Sequence, residues 1–437
     1  MFLRSLPLRM SIRKRVLENV VTSTLSSQDV SGIGAWSEVK ERPTVNSTVH
    51  PLPRKVIARE GDLFARGGSS DPLDAWHLRR SSEGLPSTSA TASAADPFDL
   101  TSAEIRTLSA EMTSLLTSSH PVLAKCAQYF FTASSGKKVR PTMVILMSYA
   151  LNPNQPPLPT PDADVLRQPT MEGGLLETQR RLAEITEMIH TASLFHDDVI
   201  DKSSVRRNMP SVNHQFGNKM AILAGDFLLA RASVSLARLR DIEVVEVMST
   251  VIEHLVKGEV MQMRVLSKDE RGTDGVMEYY LKKNFYKTSS LMANSCMSAA
   301  LLADCTPNQV KAAYEYGKHV GNAFQLIDDV LDFEGNVSTM GKPALADLHS
   351  GVTTAPVLYA AETYPEVYDM VERKFENPGD IDRAIELVNM TDGIERTREL
   401  ARVHAEVACE GLYEAIGDSV YRDGLVNLAR RVLERQN

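Results

Sequence analysis

The sequence predicts an all-α protein, and three observations lead to that prediction. From about residue 97 onward, apolar residues recur every three or four positions, the period of an amphipathic helix. Between these segments there are no Val- and Ile-rich stretches of alternating apolar and polar residues, which would indicate strands. Two acidic stretches, 197–201 and 328–332, each follow an apolar run compatible with a helix. Together these features predict a single large helical bundle over residues 97–437.

The predicted helices follow one another along the chain with short connections. Thr101 and Glu104 have the spacing of a capping box and predict the start of the first helix. The Pro-rich stretch 152–174 is expected to be a surface insertion rather than a domain boundary. The predicted helices span 101–117, 120–133, 138–151, 176–201, 218–238, 241–264, 274–302 and 307–334, with several more from 353 to the end.

The N-terminal region differs in composition from the rest of the chain. Residues 1–30 are expected to be a mitochondrial transit peptide, because their first part is basic, amphipathic and poor in acids; an ordinary basic tail is the alternative. Residues 31–96, rich in Ser, Thr, Pro and Gly, are expected to be a disordered low-complexity linker. The basic residues of the first part are Arg4, Arg9, Arg13, Lys14 and Arg15, against the single acid Glu18.

Overall composition excludes several classes of protein. The net charge of −8 argues against a nucleic-acid partner held by a general basic surface. The four Cys residues are scattered, so neither a disulfide framework nor a structural zinc site is expected. No uninterrupted apolar run reaches the roughly 20 residues that a membrane-spanning helix needs.

Two acidic motifs of the same pattern are the main functional signal. On a helix, Asp197 and Asp201 share a face with Asp198 beside them, and the second motif repeats this spacing with Asp328, Asp329 and Asp332. Carboxylates so close together repel one another unless a cation lies between them. Carboxylate oxygens without nearby Cys suit Mg²⁺, which commonly links carboxylates to phosphate oxygens. The sequence therefore predicts two Mg²⁺–diphosphate sites; a solvated acidic helix end is the alternative for each motif alone.

Cationic and polar residues near these motifs predict binding of anions. Lys137 and Arg140 lie three apart at the start of a predicted helix, where a phosphate is already favoured. His190 lies two turns before Asp197 on roughly the same face, although a buried His with a structural partner is the commoner case. The other candidates for anion binding are Arg206, Arg207, Lys287, Thr288, Gln325 and Lys342.

Taken in order, these motifs resemble those of the trans-polyprenyl diphosphate synthases, the enzymes that elongate isoprenoid chains head to tail. The resemblance covers about residues 100–437 and is strongest to the mitochondrial long-chain members that make the ubiquinone side chain. The motifs that carry it are GKKVRP (136–141), HTASLFHDDVID (190–201), RR (206–207), GDFLLARA (225–232), GEVMQ (258–262), YKTSSL (286–291), GNAFQLIDDVLDF (321–333) and GKPALADLHSGVTTAP (341–356).

The resemblance implies a helical bundle around a central cavity, the isoprenoid synthase fold, with the two acidic motifs facing each other at its mouth. It also implies residue roles. Two to three Mg²⁺ per active site would be bound by Asp197, Asp198, Asp201, Asp328 and Asp332. The catalytic group would comprise Asp197, Asp198, Asp201, Asp328, Asp329, Lys287 and Lys342. An allylic diphosphate, farnesyl or geranylgeranyl, would bind Arg206, Lys287, Thr288, Gln325 and Lys342, and isopentenyl diphosphate would bind Lys137, Arg140, His190 and Arg207.

The helix that carries the first motif bears on product length. Ala192 and Ser193 are small and lie one turn before Asp197, so a growing chain is expected to pass them; close packing of helices is the alternative. A long product of six to ten units is therefore expected. We also expect a homodimer or hetero-oligomer, a peripheral membrane contact for product release, and a mitochondrial location in the matrix or at the matrix face of the inner membrane.

Other functions remain open at this stage. A geranylgeranyl diphosphate synthase or a regulatory subunit of a heteromeric prenyl synthase are the nearest alternatives. A terpene cyclase would have a mixed second metal motif and would lack the GKxxRP loop, whereas this chain has the opposite features. A metal-binding helical scaffold without catalysis would leave the cationic loops unexplained.

Overall fold

The computed structural model describes residues 96–116, 125, 129, 137–152, 174–206, 209–264, 275–334 and 345–435. All of them lie in one of the two compact units of the chain, Ile57–Asn437. The predicted transit peptide lies outside these described residues, as do the predicted linker and insertion except for Asp96, Asn152 and Gly174. So do Arg207, Asn208 and Lys342, and most of the predicted helix 120–133.

The first half of the described chain contains helices and one very short hairpin. Its helices are α1 (Pro97–Leu100), α2 (Ser102–Leu116), α3 (Val139–Leu151), α4 (Glu177–Ile200), α5 (Val212–Phe216), α6 (Asn218–Arg238) and α7 (Ile242–Met263). Strands β1 (Val205–Arg206) and β2 (Met209–Pro210) pair antiparallel directly after α4.

The second half contains α8 (Gly275–Asn284), a π-helical segment (Phe285–Ser289), α9 (Ser290–Leu301), α10 (Pro307–Glu334), α11 (Ala346–His349), α12 (Ala355–Thr363), α13 (Glu366–Glu372), α14 (Asp380–Asn389), α15 (Gly393–Ala415) and α16 (Val420–Leu433). Helices α9 and α10 form the centre of the bundle, and eleven residues of α9 in succession, Ser290 to Ala300, are buried. Helix α10 packs along α9 and α15, while α3 contacts α4, α9 and α16. Helix α4 packs on α6, so the helix with the first acidic motif belongs to the core.

The all-α prediction is confirmed, and α6 and α10 have the predicted bounds. The predicted capping box is wrong, because Thr101 donates its hydroxyl proton to the carbonyl of Pro97, 3.2 Å away, and ends α1. The predicted continuous helix 274–302 is also wrong at its middle, where the π-helical segment interrupts it. Cys296, Cys305 and Cys409 are free thiols, as expected; Cys126 lies outside the described residues.

Helix α6 has an unusual composition for a helix with one exposed face. Among the described residues it alone is long and apolar enough to cross a membrane by length and composition, and 39% of its most apolar stretch is buried. Ala221, Ala224 and Leu228 pack against Ala192 and Phe195 of α4. Ile222, Leu223 and Val234 are exposed on its other side.

Candidate active site

The first acidic motif lies at the end of α4, and its carboxylates have different surroundings. Asp198 is buried, and Arg206 of β1 holds it through Nε and Nη2 at 2.8 and 2.7 Å. The Asp198 carbonyl oxygen accepts a hydrogen bond from Asn213 of α5 at 3.0 Å. Asp198 therefore anchors the hairpin that follows α4. Asp197 is half-buried and Asp201 is exposed, so these two remain available to a ligand.

The electrostatic surroundings of Asp197 favour a bound cation. The pKa of Asp197 is raised to about 6, mainly by burial; Glu259 and Asp201 also raise this pKa, whereas Lys287 and Arg206 lower it. Burial is also the main cause of the raised pKa of Asp201. The negative charge of these carboxylates is not fully compensated by the neighbouring cations. A divalent cation bound here would compensate it.

Lys287 is held over this region by the π-helical segment and by α7. Its Nζ lies 2.5 Å from Glu259 Oε2 and donates to Gln262 Oε1 at 3.0 Å. Gly258, one residue before Glu259, allows the close approach of the two helices, because a Cβ there would lie 2.6 Å from Lys287 Cγ and 3.0 Å from its backbone nitrogen. The same face of α7 thus supplies the space for the Lys287 stem and the partners of its ammonium group.

The second acidic motif lies in the last turns of α10, and its middle carboxylate is fully engaged. Asp329 is buried and accepts hydrogen bonds from the Tyr280 hydroxyl at 2.5 Å, the Ala355 amide at 2.9 Å and Gln325 Nε2 at 3.1 Å. Burial first, and then the nearby charge of Asp347, raise the pKa of Asp329 to about 6. Asp329, predicted to be catalytic, holds α8, α10 and α12 together.

The two outer carboxylates of the second motif also have partners. Asp332 accepts from the backbone amides of Ala346 and Asp347 at 3.0 and 3.3 Å, so it stabilises the start of α11. Asp328 Oδ1 lies 2.7 Å from Arg435 Nη1, a cation from the C-terminal end of the chain. Among the described residues no group of three His, Cys, Asp or Glu side chains is placed to hold a metal ion. The metal role that the resemblance implies for Asp197, Asp198, Asp201, Asp328 and Asp332 stays a prediction.

A chain of hydrogen bonds joins the π-helical segment to the second motif. The Thr288 hydroxyl donates to Gln325 Oε1 at 3.0 Å, and Gln325 in turn donates to Asp329. Both Thr288 and Gln325 are half-buried and were predicted to bind substrate. Their mutual bond fixes the orientation of the Gln325 amide against Asp329.

The predicted isopentenyl diphosphate residues are brought together only in part. Arg140 of α3 and His190 of α4 lie 3.1 Å apart, Nη1 to Nε2, on adjacent helices. Lys137 is exposed just before α3. Lys138, which has φ of 50°, turns instead to Glu187, with Nζ 3.0 Å from Oε1.

The two predicted chain-length residues have different neighbours. Ala192 is fully buried against α6, in the cluster with Phe195, Ala221 and Ala224, so its small side chain serves close helix packing. Ser193 is half-buried and donates to the His190 carbonyl oxygen at 2.9 Å. Of the two, Ser193 alone lies on the side of α4 that carries His190.

The chain is similar in sequence to known proteins over most of its length. The model of the polyprenyl synthetase family matches residues 120–388. The chain belongs to the polyprenyl synthetase family. A Neurospora crassa protein named "probable hexaprenyl pyrophosphate synthase, mitochondrial" is 46% identical over 82% of this chain and 84% of its own length. The decaprenyl-diphosphate synthase subunit 1 of Schizosaccharomyces pombe is 43% identical over 76% of this chain and 89% of its own.

A solved structure of this family has the same fold. The polyprenyl synthase of Caulobacter crescentus, in complex with calcium and isoprenyl diphosphate, superposes with a TM-score of 0.66 at 27% identity, over 82% of this chain and 100% of its own. The protein is thus an enzyme, a trans-polyprenyl diphosphate synthase, and the cyclase and scaffold alternatives fall away. Polyprenyl synthases use a divalent metal.

The residues of this polyprenyl synthase fit a hard divalent ion. Asp197, Asp201 and Asp328 present carboxylate oxygens, the donors that Mg²⁺ and Ca²⁺ prefer. Mg²⁺ needs only one or two carboxylates when waters and phosphate oxygens complete its shell, so the engagement of Asp198 and Asp332 elsewhere is compatible with binding. At Asp328 a guanidinium group already occupies the cation position.

Several residues of the site could not be found from the two motifs alone. Glu259, Gln262, Tyr280 and Arg435 contact the predicted residues directly. Lys283 is buried on α8. Burial lowers the pKa of its ammonium group, while the charges of Asp329 and Asp347 favour the protonated form. Tyr280 and Lys283 also line a pocket that is partly open to solvent. Tyr280 and Lys283 could have been found from the sequence by their spacing from Lys287, because in a regular helix these three positions share one face.

Proposed function

We propose that this protein condenses isopentenyl diphosphate onto an allylic diphosphate, farnesyl or geranylgeranyl, to make a long-chain all-trans polyprenyl diphosphate for the ubiquinone side chain. The observation that carries the proposal is the pair of acidic motifs, each with a cation held ready beside it: Lys287 near Asp197, and Arg435 on Asp328. Relatives named as hexaprenyl and decaprenyl synthases support the long product.

Mg²⁺, in two or three copies per site, is the proposed metal, with Asp197, Asp201 and Asp328 as its protein ligands. When bound, it supplies Lewis-acid stabilisation of the departing diphosphate. The resemblance implies that Asp198 binds the metal. We propose instead that Asp198 anchors Arg206. Asp332 acts by capping α11. Lys342 and Arg207 keep their proposed roles in diphosphate binding, and both lie outside the described residues.

The side chains of the site have separate tasks in the reaction. Lys287 and Arg206 neutralise negative charge on the diphosphate as the allylic C–O bond breaks, and Thr288 and Gln325 orient it. Arg140 and His190, with Lys137, hold isopentenyl diphosphate. Its double bond then attacks the allylic carbocation, a C–C bond forms, and the adduct loses a proton to the released diphosphate. Apolar walls keep water from the cation.

The proposed path of the growing chain runs from Asp197 along α4 past Ser193. One turn rises about 5.4 Å, comparable to an extended isoprene unit, so each open turn admits roughly one more unit. The next turns toward the α4 start carry Ile189 and Thr186, both buried. Thr186 lies 2.9 Å from Ser295 of α9, oxygen to oxygen, so helix α9 forms the facing wall.

The direct test supplies the purified full chain with isopentenyl diphosphate, farnesyl diphosphate and Mg²⁺, and measures dephosphorylated products by chromatography. We expect products of six to ten units, and Asp328→Asn is expected to lower turnover by orders of magnitude with an unchanged circular dichroism spectrum. A product that stops at four units would identify a geranylgeranyl diphosphate synthase. Inactivity of the folded wild-type chain alone would instead support the regulatory-subunit alternative.

We further propose that a second copy of this chain covers the exposed apolar side of α6 and α7. Seven of the twelve large hydrophobic side chains exposed in the described part of the protein lie on these two helices: Ile222, Leu223, Val234, Ile242, Val256, Val260 and Met263. Monomeric proteins rarely expose so much apolar surface in one region. A membrane surface is the alternative occupant.

The mitochondrial location is proposed from the N-terminal composition and the mitochondrial relatives.

A further inference from the structure

Arg435, which follows α16, reaches the second acidic motif. Arg435 Nη1 lies 2.7 Å from Asp328 Oδ1, and the two side chains are 20% and 37% exposed. The guanidinium carbon also lies 4.0 Å from the ring centroid of Phe324, one turn before Asp328 on α10. Arg435 thus has two contacts on one face of α10, ionic with Asp328 and cation–π with Phe324.

The position of Arg435 follows from a helix that is firmly packed. Ser419 caps α16 by accepting from the Arg422 amide at 3.1 Å, and Tyr421 stacks on Tyr149 of α3 with ring centroids 4.5 Å apart. Near the other end of α16, Arg431 Nη2 lies 2.6 Å from Asp96 Oδ2. Because α16 is fixed at both ends, Arg435, two residues beyond it, has little freedom to leave α10.

Arg435 and a metal ion require the same carboxylate of Asp328. A guanidinium and Mg²⁺ both bind carboxylate oxygens, so each weakens the binding of the other. Part-exposed ion pairs of this type are worth about 0.2–1 kcal/mol, which corresponds to a change of roughly 1.4- to 5-fold in the affinity of a competitor. The metal is therefore expected to displace Arg435 at a modest loss of affinity.

We propose that Arg435 is a displaceable counter-cation of the second metal motif, a positioning residue that holds the Asp328 carboxylate until the metal–diphosphate complex binds there. The Phe324 ring keeps the guanidinium beside the motif after Asp328 releases it, so that the positive charge stays available to the diphosphate. This inference rests on the proposed metal role of Asp328. It assigns to the active site a residue that no sequence motif indicates.

The test is calorimetric titration of Mg²⁺ into the full-length enzyme, so that the measurement does not depend on turnover. Arg435→Gln is expected to bind Mg²⁺ about 1.4- to 5-fold more tightly than the wild type. Arg435→Lys, which keeps a cation, is expected to lie between them. Arg431→Gln is the matched control, because it removes an exposed arginine of the same helix that pairs with Asp96, and its Mg²⁺ affinity should equal that of the wild type.

A double-variant comparison separates this inference from the proposed metal role. If Asp328 binds the metal, Asp328→Asn weakens Mg²⁺ binding, and adding Arg435→Gln to it changes nothing further. Weaker binding by Asp328→Asn together with an unchanged affinity of Arg435→Gln would overturn the role of Arg435 and leave the metal role standing. Unchanged Mg²⁺ binding by Asp328→Asn would overturn both.

Discussion

At the scale of single residues, the two acidic motifs have the same pattern but their members have different roles. Asp198 and Asp329 are both buried, yet Asp198 pairs with Arg206 in the next hairpin, while Asp329 binds Tyr280 and Ala355 from distant helices. The sequence predicted the acids and most cations around them, because motif spacing is local. It could not predict which carboxylates would be free, because their partners lie as far as 107 residues away, as Arg435 does from Asp328.

A buried histidine pair outside the active site likewise joins residues that are far apart in the sequence. His319 of α10 and His404 of α15 lie 2.7 Å apart, Nδ1 to Nδ1, and His319 Nε2 lies 3.3 Å from Glu315 Oε2. Burial, then the positive charge of His319 and Lys318, lower the pKa of His404 well below its usual value. The lowered pKa favours neutral His404 in the folded protein, hydrogen-bonded to His319 through the two Nδ1 atoms.

This pair predicts a loss of stability in acid. The unfolded chain takes up a proton on His404 near pH 6.5 and the folded protein does not, so stability due to this group falls as pH drops below about 6.5. The slope is at most about 1.4 kcal/mol per pH unit. His404→Asn keeps a hydrogen-bonding side chain that does not titrate, so urea unfolding of this variant between pH 7 and 5 should show a smaller loss of stability than the wild type. Parallel losses would refute the assignment; the exposed His349→Asn is the control.

At the scale of helices, periodicity predicted most bounds within one or two residues and failed at the π-helical segment. That segment depends on residues of other helices. Gly258 of α7 leaves space for Lys287, and a Cβ on Gly321 of α10 would lie 2.6 Å from the Cα of Ser289. The spacing of apolar residues along 274–302 does not depend on these contacts with other helices. The π-helical segment that carries Lys287 and Thr288 was therefore not predictable from that spacing.

Substitution of Gly258 tests the role of this contact. Gly258→Ala would bring a Cβ against the Lys287 stem and shift its ammonium group away from the site. We expect a rise in KM for the allylic diphosphate and at least a tenfold fall in kcat/KM, equivalent to about 1.4 kcal/mol. Gly411→Ala on α15, where a Cβ would meet nothing within 4 Å, is the matched control and should leave the kinetics unchanged. Equal kinetics for both variants would show that the contact is unimportant.

Helix α4 gives a second test at this scale, on product length. Because Ala192 packs on α6 and Ser193 lies on the His190 side, the two residues should respond differently to a ring. Ser193→Phe is expected to shorten products to about three or four units, since each turn accommodates roughly one unit. Ala192→Phe is expected to destabilise the α4–α6 contact by about 1–3 kcal/mol. Chromatography and thermal unfolding distinguish them, and short products from a stable Ala192→Phe would reverse the assignment.

At the scale of the whole molecule, the N-terminal region is predicted to direct import and the helical bundle to carry the activity. Residues 1–90 have targeting composition, and the described fold begins at Asp96, which pairs with Arg431 of the last helix. Deleting residues 1–90 is therefore expected to retain activity in vitro and to abolish import into isolated mitochondria. Loss of activity after truncation would mean that this region contributes to the enzyme itself, and unimpaired import would place the targeting signal elsewhere.

The assembly of the enzyme follows from the face that the bundle leaves uncovered. On α7, Val256 and Val260 are 61% and 60% exposed, and they lie on either side of Gly258, the residue against Lys287. A second copy that covers this face would also brace the helix that positions Lys287. Val256→Glu combined with Val260→Glu should therefore convert a dimer to a monomer in sedimentation analysis and reduce turnover together with association.

Met390→Glu, at a position 61% exposed on another part of the surface, should leave both association and turnover unchanged. A wild-type monomer at micromolar concentration would contradict the dimer, and binding of that monomer to liposomes, lost in the double variant, would identify a membrane as the occupant of this face.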